Sequence, residues 1–364
     1  MYDFVPSISI DRNFQLGFCE EPPYPKSLPE FQRLFPDEAS CARYLIKIRW
    51  PSGFECPKCK TIAEPFYYPQ RISVMRCRKC RRDTGLLVGS VMERSRVPLS
   101  VWFWAAYLMT SQTPGMSAVQ FQRQLGLTRY ETAFQILHRM RAGMVRANQE
   151  QIGGNSDNHV EVDEVFVGGK TRGKGSGNHN QVIVAGAVEV KWRKGDSKLN
   201  KRRSGRMAGR IRLSVVPDRS AASLCGFVQK AIKPKSLVVT DGWHAYRGLG
   251  MMGYQPVAVP ANGDIEITEE HLPMIHLVFS NLKTWLLGIH HGVSHQHLQA
   301  YLNEFAFRFN RRFYPFSAFR SLLGIASVVT SPTYEGLYSG VWTHPNCINQ
   351  QSQLTPSQPA MAKE

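Results

Sequence analysis

Four cysteines constrain this chain more than any other feature. Cys56-Pro-Lys-Cys59 and Cys77-Arg-Lys-Cys80 are two C-x2-C pairs separated by seventeen residues. Thiolates three residues apart on a tight turn point at one centre, and two such knuckles complete a tetrahedral all-sulfur shell for Zn²⁺. The rival reading is a pair of disulfides. The N-terminus carries Asp3 and no basic residue ahead of its short apolar stretch, so no export signal is expected and a reducing, cytoplasmic setting disfavours disulfides. A redox C-x2-C would not need a second copy. A closed four-cysteine shell leaves no open position, so this zinc is expected to fold a small ribbon rather than catalyse. Cys19, Cys41, Cys225 and Cys347 are scattered and read as inert thiols.

Charge organises the rest. The chain of 364 residues holds 45 Lys+Arg against 28 Asp+Glu, a formal +17. Residues 1–40 hold seven acids and three bases, so 3 − 7 = −4 and the remainder carries 17 + 4 = +21. Residues 41–98 hold 13 − 4 = +9, with Lys58, Lys60, Arg76, Arg78, Lys79, Arg81 and Arg82 around the knuckles. Lys191–Arg210 holds 9 − 1 = +8. Clustering of this kind suits a phosphate backbone better than solubility alone. With 43% hydrophobic residues the composition is globular, and the longest strongly apolar run, Leu99–Met109, is about half of what a bilayer needs. No membrane partner is expected.

The expected organisation follows. Residues 1–40 form an acidic, loosely packed arm with one short helix near Leu28–Phe35, and 41–98 form the zinc ribbon. Residues 99–147 are helical, with Ser117-Ala-Val-Gln120 and Thr128-Arg-Tyr-Glu131 as capping boxes on either side of a Gly126 turn. Two short helices so joined describe a helix-turn-helix, with Arg129, Arg139 and Arg141 of its second helix available for DNA. Residues 148–335 form an α/β domain, interrupted by the basic hairpin 191–210, and residues 343–364 form a polar, disordered tail.

Within that domain, Val160-Glu-Val-Asp163-Glu-Val-Phe-Val167 alternates as a strand. Asp163 shares a face with Glu161 and Val165, while Val160, Val162, Glu164 and Phe166 share the other. An acid in an apolar strand must be a ligand, be paired or reach solvent. Leu237-Val-Val-Thr240-Asp241-Gly242 puts a second aspartate at a strand end, the usual site position of an α/β sheet. Two such carboxylates can share divalent ions for attack on a phosphodiester.

These motifs carry a resemblance. CPKC…CRKC, VEVDEVFVGGK, VVTDGWHAYRGL and FSNLKTWLLGIHHGVSHQHLQAYLNEFAFRFNRR together resemble the bacterial insertion-sequence transposases of the ISXO-like group. That group joins an N-terminal zinc ribbon to an RNase H-like DDE core, and the likeness spans roughly residues 30–330. The resemblance implies a multidomain α+β chain: zinc ribbon and helix-turn-helix, then an RNase H-like α/β catalytic domain with a mixed sheet. It also implies Mg²⁺- or Mn²⁺-dependent cleavage and strand transfer at element ends, with Asp163 and Asp241 as the first two metal ligands. The implied partner is double-stranded DNA, both transposon ends and target, bound by a homodimer or higher oligomer.

The third ligand departs from the family's usual pattern. A Glu is usual about 35 residues after the second Asp, with Lys or Arg seven further on. His276 is the 35th residue after Asp241, Lys283 lies seven beyond it, and no Glu occupies that register. Seven helical residues turn through 700°, so His276 and Lys283 share a face. Neutral imidazole ligates divalent ions and suits Mn²⁺ better than Mg²⁺. Asn281, with a hard amide oxygen, and a displaced Glu269 or Glu270 are the alternatives. Lys283 would neutralise a phosphate near the scissile bond. Two other readings stay open: a DNA-binding regulator with a degenerate, non-cleaving core, and a nuclease without strand transfer.

Overall fold

A computed structural model describes residues 22–146, 148–154, 158–168, 181–192, 205–259 and 270–339. The expected tail, residues 193–204 of the basic hairpin, and Glu269 lie outside them. In chain order the elements are α1 (Leu28–Leu34), α2 (Glu38–Arg49), β1 (Phe66–Tyr68), β2 (Arg71–Arg76), β3 (Asp83–Gly85), α3 (Leu99–Ser111), α4 (Ala118–Gln124), α5 (Tyr130–Ala142), β4 (His159–Val167), β5 (Val182–Trp192) and β6 (Arg206–Val216). Then come α6 (Ala221–Ala231), β7 (Leu237–Thr240), a 3₁₀ helix (His244–Leu249), β8 (Gln255–Ala258), α7 (Pro273–His290), α8 (His295–Asn310), α9 (Pro315–Ala326) and α10 (Tyr334–Ser339).

The first body forms around α3, whose Trp102, Phe103, Ala105, Ala106 and Met109 are all buried. A helix apolar on every side must be wrapped, and α2, α5 and α9 wrap it. Its N-terminus follows Pro98, which offers no side-chain cap. Glu38 reaches across instead, accepting from the amides of Leu99 (2.7 Å) and Ser100 (2.8 Å). The N-terminal segment is therefore not a loose arm from residue 28 onward. Phe31 and Phe35 are buried against Phe103, Tyr107 and Phe319, the last from α9. Helix α2 likewise fills the opening of the segment expected to be ribbon.

The two helices around Gly126 form, and that glycine takes φ +60°. Ser117 caps α4 through the Gln120 amide as its box predicts, but Thr128 is not a cap, because α5 begins at Tyr130 after Arg129. The expectation that Arg139 and Arg141 face DNA is overturned. Helix α5 lies between α3, α8 and α9, Arg141 is 1% exposed, and Arg139 donates to the Glu93 carbonyl. Arg129 remains exposed.

The second body is a five-stranded sheet in the order β6-β5-β4-β7-β8. Its first three strands are antiparallel, and β7 and β8 run parallel to β4. This is a mixed RNase H-like sheet. The alternation read from β4 holds: Val160 and Val162 pack toward α6, and Val165 and Val167 toward α7 and α8. Helix α7 lies close because β5 carries Gly186 opposite Asp163, and a Cβ there would sit 2.7 Å from the Phe279 ring. Helix α8 seals the free edge of β6. Gln299 accepts from the Val215 amide, Asn310 accepts from Ile211, and Arg312 donates to the carbonyls of Ala208 and Gly209.

Buried charge joins the two bodies. Arg141 on α5 donates to Glu304 on α8 at 2.7 Å, and Arg308 lies 3.7 Å from the same carboxylate. Arg308 and Trp285 also donate to carbonyls of the α3–α4 loop, at Gln112, Thr113 and Pro114.

Candidate metal centres

The four cysteines expected to hold zinc converge. Their sulfurs all lie within 4.8 Å of one another, with Cys56–Cys80 at 3.5 Å and Cys59–Cys77 at 3.6 Å. Tetrahedral zinc with bonds near 2.3 Å places its sulfurs ~3.8 Å apart, so the donor set fits. The knuckles are twins. Lys60 and Arg81, each four residues after the first cysteine, take φ near +56° and donate back to the carbonyls of Cys56 and Cys77. Amides of Cys59 and Lys58 lower the Cys56 thiol, and the Thr61 hydroxyl and amide bring Cys59 down to about 6. Cys80 runs the other way: despite the Arg82 amide, burial and hydrogen bonds with Cys56, Cys59 and Cys77 raise its thiol to about 11. Cys41 and Cys225 are buried outside the cluster, and burial raises both thiols. All seven Lys and Arg around the knuckles are exposed; Arg76 is paired with Asp83 and Lys60 with Glu55.

Among the described residues only the four cysteines bring three or more ligand atoms within 4.8 Å of one another; the aspartates expected at a second centre lie on the sheet. Parallel pairing sets Glu161 opposite Val239, and Asp163 and Asp241 each lie two residues further along. Asp241 opens a turn: Gly242 takes φ +82° and the Trp243 amide donates to Asp241 Oδ1 at 2.9 Å. Burial raises the Asp241 carboxyl; the Trp243 amide lowers it, the charge of Asp163 raises it, and Arg219 lowers it. Two carboxylates that repel within a half-buried cleft favour a bound cation.

Helix α7 carries the residue expected as third ligand. It has no side-chain cap of its own, and the buried Glu161 accepts from the Ile275 amide in its first turn at 2.8 Å. The next residue is His276, whose Nε2 lies 3.3 Å from Asp163 Oδ2. Two donors on adjacent positions of an octahedral ion with bonds near 2.1 Å are ~3.0 Å apart, so this spacing suits shared ligation. Lys283 is exposed on nearly the same face of α7 as His276. Asn281 is exposed too, but five residues turn it ~140° from His276. Glu270 is exposed at the helix approach.

Residues 36–83 match the transposase zinc-ribbon domain, and residues 154–310 match the ISXO2-like transposase domain. The chain is thus similar to transposases in two segments, a zinc ribbon and an ISXO2-like transposase domain. It is 26% identical over 295 residues to an uncharacterized protein in transposable element ISH50 of Halobacterium salinarum, covering 76% of this chain and 92% of that relative. No solved structure matches the chain.

Around the two aspartates, three residues escaped the sequence reading. Glu161 docks α7. Glu164, on the opposite face of β4, is paired with Arg219 and accepts from the Tyr246 hydroxyl. Arg219 stacks on Trp243, 4.1 Å from the ring centroid. The available signal was three carboxylates within four residues of an apolar strand, each of which needs a partner. Tyr246 is buried, and His244 is exposed against Trp243. His290 packs between Trp285 and Tyr301, and His291 caps α7 at φ +52°, so neither forms a metal pair. No helix among the described residues is long and apolar enough to cross a membrane.

Proposed function

We propose that the chain cleaves DNA at insertion-sequence ends and transfers the freed strand, with Asp163, Asp241 and His276 holding Mg²⁺ or Mn²⁺. The observation that carries this reading is the His276 Nε2–Asp163 Oδ2 approach of 3.3 Å, with Glu161 docking the helix that supplies the histidine. A divalent ion bound there supplies Lewis acidity toward a phosphoryl oxygen and lowers the pKa of an attacking hydroxyl. The chain's own residues do the rest. Asp163 and Asp241 supply the anionic charge that draws cations into a basic protein. Lys283 faces a phosphate one side of His276, and the exposed knuckle cations track the backbone of the duplex end. Asn281 is the weaker candidate for third ligand because of its angular distance from His276. Pairing two ends requires at least a homodimer on double-stranded DNA.

Incubation with DNA bearing the terminal inverted repeats, in Mg²⁺ or Mn²⁺, tests the proposal. Nicking that vanishes in Asp163→Ala and Asp241→Ala supports it, and joined products distinguish strand transfer from simple hydrolysis. His276→Ala should abolish nicking while Asn281→Ala retains it. Binding without nicking in either metal would instead establish the non-cleaving regulator, which the lack of a third carboxylate favours.

A further inference from the structure

The β4–β7 ladder pairs residues only as far as Glu161 and Val239. Both aspartates lie two residues beyond, so the ladder itself does not set their separation. A run of side-chain contacts takes over at that point. Glu164 follows Asp163 directly, and its side chain is 1% exposed. Its Oε1 accepts from Arg219 Nε at 2.6 Å and its Oε2 from the Tyr246 hydroxyl at 2.7 Å. The Arg219 guanidinium lies over the Trp243 ring, and the Arg219 carbonyl accepts from Trp243 Nε1 at 3.4 Å. The Trp243 amide then bonds Asp241 Oδ1. The contacts run from the residue beside one aspartate to the carboxylate of the other, and they tie three segments together: β4, the β6–α6 loop and the turn after β7.

We propose that Glu164 and Arg219 are positioning residues that fix the spacing of Asp163 and Asp241 for a divalent cation. The proposal rests on reading those aspartates as a metal pair. Glu164 is not itself a ligand, because both of its oxygens are committed to Arg219 and Tyr246. Lysine cannot replace Arg219, since only the planar guanidinium both stacks on an indole and donates from neighbouring nitrogens. Mg²⁺ demands nearly ideal octahedral geometry, so a small drift of one carboxylate weakens it.

The test uses the full-length, zinc-loaded protein and follows Mn²⁺ binding by electron paramagnetic resonance. Melting temperature and nicking in Mg²⁺ and in Mn²⁺ are measured on the same samples. Glu164→Gln and Arg219→Lys are expected to weaken Mn²⁺ binding about 10–100-fold, as outer-shell changes do. Nicking should fall further in Mg²⁺ than in Mn²⁺, a split that simple loss of stability would not produce. Unchanged Mn²⁺ affinity in the folded variants overturns the proposal. If either variant fails to fold, Tyr246→Phe removes one hydroxyl and asks the same question: weakened Mn²⁺ binding supports the inference, and unchanged binding refutes it. Failure of the underlying metal-pair reading looks different, because wild type and Asp163→Asn would then bind Mn²⁺ alike.

Discussion

Replacing Glu304 by leucine removes a buried carboxylate that Arg141 and Arg308 share. Arg141 and Glu304 are 1% and 0% exposed, and Arg308 lies on the other carboxylate oxygen at 3.7 Å. Breaking a buried pair by deleting one partner costs about 3–5 kcal/mol, because the remaining charge is left without compensation. Glu304→Leu leaves Arg141 without its carboxylate, over the Tyr301 ring, while Arg308 keeps the carbonyls of Gln112 and Thr113. Its cost should lie at the upper end, about 5 kcal/mol. Arg141→Met leaves Glu304 with Arg308 and should cost less, about 3 kcal/mol. The double variant Arg141→Met/Glu304→Leu removes both charges of the pair and should be more stable than Glu304→Leu alone, since apolar replacement of a buried pair is often neutral. Against a typical total of about 5–15 kcal/mol, these are effects urea denaturation resolves. Tryptophan fluorescence and circular dichroism on zinc-loaded protein at neutral pH supply the midpoints. A Glu304→Leu cost below about 1 kcal/mol, or a double variant less stable than Glu304→Leu, would refute this account of the junction.

Cys77→Ser, or chelation, should remove the one ribbon zinc by elemental analysis and weaken DNA binding, while circular dichroism retains the sheet domain's signal. His290 offers a pH test: burial, assisted by Arg141, Arg308 and His291, lowers its pKa from 6.5 to about 3. The unfolded chain therefore takes up a proton that the folded chain refuses, so this contribution is complete above pH 6.5 and is lost as pH falls toward 3. Urea midpoints measured across that window should fall less steeply in His290→Phe than in wild type.

Local chemistry was legible, and long-range partnership was not. The cysteine spacing, the β4 alternation and the Ser117 cap are each decided within a few residues, and each appears as read. Arg141 looked like a DNA-facing cation because its partner Glu304 is 163 residues away. Thr128 satisfied a capping pattern that went unused. Strand β8 is exposed throughout and contains Pro256, so it lacked the alternation that marks a half-buried strand. Helix α9 completes the first core from the far end of the chain, and no local pattern in Pro315–Ala326 announces that destination. At the candidate site, Asp163 and Asp241 were singled out by their place in or at the end of strands. Glu161, Glu164 and Arg219 were missed because their purpose lies in contacts with α7 and with the turn after β7.

The position of the basic insertion changes what the charge can do. Sequence alone puts a cationic hairpin in the same domain as the aspartates. In the sheet, Asp163 is opposite Gly186, whereas Trp192, at the base of the insertion, lies six residues further along β5. At 3.3 Å per residue that is about 20 Å, in the direction away from the Asp241 end of β7. Successive phosphates of one strand are spaced by about 3.4 Å along the helix axis, so a duplex spanning both places covers about six base pairs between them. Among the described cations, Arg219 acts on the Asp241 carboxyl but is already paired with Glu164, and Lys283 lies on nearly the same face of α7 as His276. Charge at the described base of the insertion, on Lys191 and Arg206, therefore lies away from the aspartates. Neutralising it should weaken binding and flatten the salt dependence of affinity, with little effect on the rate at which bound DNA is cut.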